Sequence, residues 1–195
     1  MENLINSFLD YLKLERACSP GTVLKYGAHL LDFERYLQGI DEELTLETAT
    51  GDLVRDWMMQ LRERGDKAST INARLSSLRS FYKYLYIHEY ISENITEKIR
   101  MPKIKEKPII YLDRDEIIKM IDTINTGDGM TERQKKYIQN TRVRDLAIIM
   151  LLLGTGIRES ELVGMNLEDI DLDQQAFVVT RKGGNQMILY FNESI

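Results

Sequence analysis

Over residues 1–91 apolar side chains recur at helical spacing in four segments, each bounded by a cap or a breaker. Leu4, Ile5, Phe8, Leu9 and Leu12 form a stripe that ends before Ser19 and Pro20. Ser19 is a natural N-cap with Pro20 at the first helical position, and Val23, Leu24, Leu30, Leu31, Phe33 and Leu37 carry the next core face as far as Gly39. Thr50 caps a third helix bearing Leu53, Val54, Trp57, Met58 and Leu61, stopped by Gly65. Ser69 or Thr70 opens a fourth, in which Ile71, Leu75, Leu78, Tyr82 and Leu85 repeat at intervals of four and three. Arg74, Arg79 and Lys83 fall off that stripe and are expected to face outward. The pattern predicts a packed four-helix domain with one basic helix.

Residues 92–110 lose the period. They hold Pro102 and Pro108 among basic residues and read as an interdomain linker. Asp113 then caps a helix carrying Ile117, Ile118, Ile121 and Ile124. A polar loop is expected from Asn125 to about Asn140, and a further helix from about Thr141 into the glycines at 154 and 156. The apolar run Leu146 to Leu153 reads as a buried helix, and a short helix beginning near Arg158 ends at Gly164. The period then changes. Phe177-Val178-Val179-Thr180 and Met187-Ile188-Leu189-Tyr190-Phe191 flank Gly183-Gly184, a β-hairpin signal that puts Lys182 near an exposed tip and Tyr190 at a packing position. The expected organisation is a helical domain over 1–91, a basic linker over 92–110 and a second domain of helices and a β-hairpin over 111–195.

Charge sharpens this picture more than composition does. The net charge of −5 looks wrong for a nucleic-acid binder, but between Arg62 and Lys107 eleven Lys and Arg face six Asp and Glu. Lys67, Arg74, Arg79 and Lys83 on the fourth helix, with Lys103, Lys105 and Lys107 in the linker, are the candidate contacts to double-stranded DNA. Cys18, a lone cysteine, cannot form an internal disulfide, and no charged-then-apolar leader precedes the amphipathic start, so a reducing cytoplasm is expected. The most apolar stretch is far too short to span a bilayer, so no membrane partner is expected.

The strongest chemical signal is Gly154-Thr155-Gly156-Ile157-Arg158-Glu159-Ser160-Glu161-Leu162. Arg158 and Glu161 share one face of a helical turn, so the carboxylate can orient the guanidinium, whose rigid fork of donors suits a phosphate. Other candidates fail. Asp169, Asp171 and Asp173 begin like a calcium loop, but Gln174 stands where glycine is needed and Thr180 where a bidentate glutamate is needed. The glycines beside Lys182 follow the lysine and open no helix, which excludes a nucleotide phosphate loop. His29 and His88 lack partners at ligand spacing. No metal or cofactor is expected.

With these residues in view the chain resembles the tyrosine recombinase (phage integrase) family, close to the Xer-type and transposon integrases. The four-helix segment is similar to the family's SAM-like core-binding domain, Thr155 to Leu162 to its first catalytic arginine motif, and Lys182-Gly183 to the lysine hairpin that follows. The resemblance implies a mainly α fold, with a core-binding domain preceding the first part of an α+β catalytic domain that carries a small β-hairpin sheet. It implies DNA cleavage and rejoining, a tyrosine attacking phosphorus to leave a 3′-phosphotyrosine and a 5′-hydroxyl, with other recombinase subunits as partners on DNA. Arg158 would neutralise the non-bridging oxygens, Glu161 would hold Arg158, and Lys182 would protonate the leaving oxygen as general acid. The family's His-x-x-Arg pair and nucleophilic tyrosine are not matched. His29 is followed three residues on by Asp32 and His88 by Ile91, and Tyr190 is not the nucleophile. A truncated, catalytically incomplete copy is the expectation; the alternative is a non-catalytic DNA-binding or recombination-regulating protein.

Overall fold

A computed structural model describes residues 4–104, 108–181 and 183–192. The chain divides into two compact units, Met1–Lys107 and Pro108–Ile195. The first is built from α1 (Leu4–Leu14), α2 (Pro20–Ile40), α3 (Gly51–Glu63) and α4 (Ala68–Ile87). The four stripes meet in one core: Phe8 and Leu12 from α1, Leu30, Phe33 and Leu37 from α2, Val54, Trp57 and Leu61 from α3, and the buried residues of α4. Phe8 stands edge-on to Phe81 at 5.3 Å, and Phe33 tilts against Trp57 at 5.0 Å, so aromatic pairs tie α1 to α4 and α2 to α3. Gly27 is buried in α2 where a Cβ would stand 3.1 Å from Leu9 Cδ1, which is how α1 and α2 approach so closely.

Several local expectations are corrected. Leu24 and Leu31 are 75% and 44% exposed, because α2 presents only the Gly27-Leu30-Phe33-Leu37 face to the core. Thr50 caps α3 as expected, accepting the Leu53 amide hydrogen at 3.3 Å. Ser19 precedes α2 as expected but makes no cap hydrogen bond to the backbone; its hydroxyl instead meets that of Thr22. The fourth helix starts slightly early, with Lys67 at its N-cap. Phe81 and Tyr84 join the core beside the predicted stripe, since α4 is enclosed on more than one side. Ile99 and Thr96 are buried too, so part of the segment after residue 91 packs into the first unit.

The second unit contains α5 (Arg114–Thr126), α6 (Glu132–Thr155), α7 (Glu159–Val163) and a three-stranded antiparallel sheet. Its strands are β1 (Ile170–Asp171), β2 (Ala176–Thr180) and β3 (Gln186–Tyr190), in that order. Asp113 caps α5, and Glu116 bonds back to the cap, completing a capping box. The expected loop over 125–140 is wrong. Thr131 and Gln134 form a second capping box that starts α6 at Glu132, well before the start expected near Thr141, and only Gly127 to Thr131 separates the two helices.

The run Leu146 to Leu153 is also not buried as expected; its residues are half-buried or exposed. Eight successive apolar residues wrap the whole circumference of a helix, and the small cluster of Ile157, Phe177 and Val179 covers only the side carrying Leu151 and Leu152. The hairpin is present, with Thr180 paired to Gln186 and Ala176 to Tyr190, and β1 adds a two-residue third strand. Tyr190 is 71% exposed and does not pack, because the hydrophobic cluster lies against the other face of the pleat, which holds Leu189.

Candidate nucleic-acid interface and phosphate site

Helix α6 ends where Gly156 adopts φ 65°, a left-handed conformation that costs glycine little, and its N–H caps Leu152 O. Gly154, expected to break the helix as well, lies inside it. The reversed chain buries Ile157 and brings Arg158 to the N-cap of α7 with extended φ −80° and ψ 151°. Glu161, three residues on, then turns back. Its Oε2 accepts the Arg158 backbone N–H at 3.0 Å, and its Oε1 accepts Arg158 Nη1 at 2.8 Å. The Glu161 side chain is 4% exposed while that of Arg158 is 70% exposed. One carboxylate thus anchors both the turn and the guanidinium, leaving further guanidinium donors in solvent for an anion.

Arg181, at the end of β2, places its Nε 4.0 Å from the same Glu161 oxygen. The residue was not singled out from sequence, although it stands next to the nominated lysine. Its position ties the start of the hairpin turn to α7, and the turn is closed by Arg181 N–H donating to Asn185 O at 2.8 Å. Lys182 lies outside the described residues.

The Arg158 backbone N–H first, and its guanidinium second, hold the Glu161 carboxyl below its ordinary pKa. A carboxyl depressed by folding adds stability that is present above its unfolded value and is lost as pH falls through its folded value. We therefore expect the Glu161 carboxyl carbon, followed by NMR, to titrate below the range of exposed glutamates, with the Arg158 Nε resonance shifting in the same step. Titration at or above that range would contradict the anchor.

On the first unit the nominated cations divide. Lys67, Lys83 and Lys103 are exposed. Arg74 and Arg79 do not face outward as expected. Arg74 pairs with Asp32 and approaches Asp66 at 3.9 Å, and Arg79 donates to Ile99 O; both are half-buried. Lys105 and Lys107 lie outside the described residues. A groove of about 990 Å³ runs between α3, the start of α4 and residues 98–104. Arg55, Arg62, Lys67, Lys98, Arg100 and Lys103 line it, Asp66 is the one acid among its lining residues, and Met58, Met59 and Ile104 supply apolar floor. Arg55 and Arg62 were missed, yet their spacing of seven on α3 puts them on one face.

His29 bonds Ser77 Oγ at 2.8 Å and His88 packs on Tyr84. Asp169 and Asp171 accept backbone N–H groups of their own turns, and among the described residues no cluster suits a metal ion. Among them, no helix is long and apolar enough to cross a membrane.

Residues 5–89 match the phage integrase N-terminal SAM-like domain, and residues 111–195 match the phage integrase family. Tyrosine recombinase XerC of Psychromonas ingrahamii is 32% identical over 193 residues, covering 97% of this chain and 59% of the relative. Tyrosine recombinase XerD of Rickettsia bellii is 31% identical over 97% of this chain and 60% of its own length. The chain therefore spans about three fifths of these relatives. In fold it is similar to a lambda integrase fragment solved as a dimer bound to a COC′ core site, with TM-score 0.71, 17% identity, and coverage of 97% of this chain and 62% of that one.

Proposed function

The chain belongs to the phage integrase family, and on that premise we propose that it is the DNA-binding and phosphate-orienting portion of a site-specific tyrosine recombinase acting in the cytoplasm. The observation that carries the reading is the division of labour at α7, where a buried carboxylate fixes a solvent-facing guanidinium. A scissile phosphate approaching Arg158 meets a cation already oriented, so little reorganisation is needed as charge develops on its oxygens. Lys182, the residue after Arg181 in sequence, is assigned the role of general acid toward the leaving 5′ oxygen. No cofactor is called for by this chemistry. These 195 residues contain no His-x-x-Arg pair, so the role assigned to them by themselves is binding to double-stranded DNA, with other recombinase subunits as neighbours on the duplex.

Phosphate contact makes a quantitative demand. If Lys67, Lys83 and Lys103 and the basic groove track the DNA backbone, affinity for a duplex falls steeply with salt, with a log–log slope of about −0.9 per neutralised phosphate. Fluorescence anisotropy across a salt series should show that slope, and Lys83→Ala or Lys103→Ala should each reduce its magnitude by about one. Binding that ignores salt, or no binding to any duplex, would sink the reading. One rival is a non-catalytic DNA-binding or recombination-regulating protein. For that rival Arg158 has no special place.

A further inference from the structure

Asn72 and Arg79, seven residues apart on α4, both reach away from their helix to backbone carbonyls of one short segment. Asn72 Nδ2 donates to Pro102 O at 2.9 Å, and Arg79 Nη2 donates to Ile99 O. At the second of these points the Ile99 side chain is also buried in the core of the first unit. Residues 99–104 form no helix or strand. Their carbonyls cannot rely on a ladder or a helical turn for partners, and α4 side chains supply two of them. The Arg79 bond is charge-assisted and so stronger than a neutral one. The segment is thus fastened at two carbonyls and one apolar side chain, while Lys98, Arg100 and Lys103 point from it into solvent and line the basic groove.

We infer that Asn72 and Arg79 are positioning residues: a clasp that holds residues 99–102 on α4 and so makes Lys98, Arg100 and Lys103 a fixed wall of the groove. Arg79 thereby works through the segment it holds, and not as a phosphate contact of its own. The clasp stands on geometry within the first unit; its effect on DNA rests on the proposed function. Ordering these three long side chains beforehand lowers the entropy lost when a polyanion binds.

The test is limited trypsin digestion of the full chain without DNA, read at the bonds after Arg100 and Lys103. Arg79→Gln and Asn72→Ala should each speed cleavage there by about tenfold, as expected for loss of one hydrogen bond that restrains local opening. The double variant should gain less than the product of the two, since both open the same clasp. Arg79→Lys, which keeps a cationic donor, should restore most of the protection. Cleavage after Lys83, within α4, should stay slow in every variant and so separates loosening of the segment from global unfolding. With a duplex, Asn72→Ala and Arg79→Gln should weaken binding alike and change the salt slope alike. Unchanged cleavage at Arg100 and Lys103 overturns the clasp, as does a slope that falls for Arg79→Gln alone. If the unsubstituted chain shows no salt-dependent DNA binding, the functional reading fails while the digestion still decides the clasp.

Discussion

Arg158→Ala is expected to lower DNA cleavage by roughly a hundred- to a thousandfold while leaving duplex affinity within a few-fold, the size of effect produced by losing one preorganised donor to a developing oxyanion. The measurement is formation of covalent protein–DNA adduct on a nicked duplex, in a chimera that joins residues 1–195 to the remaining two fifths of a Xer recombinase. Arg158 is itself exposed, but its substitution removes a partner of the buried Glu161 carboxylate, so a thermal melt of the variant accompanies the assay and separates loss of the reaction from loss of the fold. Arg158→Lys should recover little, because an ammonium cannot hold Glu161 and present a fork of donors to phosphate together. Glu161→Gln should act in the same direction through Arg158, since a neutral amide holds the guanidinium less firmly and leaves its charge unbalanced. Full adduct formation by Arg158→Ala would remove the catalytic assignment of Arg158, whereas no adduct from the unsubstituted chimera would leave the non-catalytic rival.

The second large effect is on stability. Trp57 is 1% exposed and packs 5.0 Å from Phe33, joining α3 to α2. Trp57→Ala should destabilise the first unit by about 3–5 kcal/mol, the usual cost of a truncated core aromatic and the cavity it leaves. For a unit of this size that corresponds to a fall in thermal midpoint on the order of 20 °C, and salt-dependent DNA binding should vanish with the fold. Circular dichroism melting of the full chain measures it. A fall of less than about 5 °C would mean that the ring is not part of a close-packed core.

Much of the first unit was legible because its determinants are local. The spacing of Leu4, Ile5, Phe8 and Leu12, the Thr50 cap and the stop at Gly65 each act within a turn or two of chain. The Arg158–Glu161 pair was legible for the same reason, being an i, i+3 contact. The errors lie where a local signal was overlooked or where distant partners decide. The loop expected over 125–140 ignored the Thr131-x-x-Gln134 capping box. Leu24 and Leu31 belong to the apolar pattern of α2 but lie beside, and not on, the Gly27-Leu30-Phe33-Leu37 face that meets the core. Arg79 looked like a free cation because its acceptor is a backbone carbonyl, which carries no residue-type signal at all.

From the sequence alone came the helical periods, the caps and glycine reversals, the hairpin turn and the coupling of Arg158 to Glu161, all set by contacts between residues close along the chain. Tertiary structure alone decided which cations remain available to an anion. Arg74 finds Asp32 across 42 residues, Arg79 finds Ile99 across 20, and Arg181 comes within 4.0 Å of Glu161 only once β2 lies beside α7. A charged side chain is solvated or paired according to what folding brings within a few ångströms of it, and sequence spacing carries no measure of that distance.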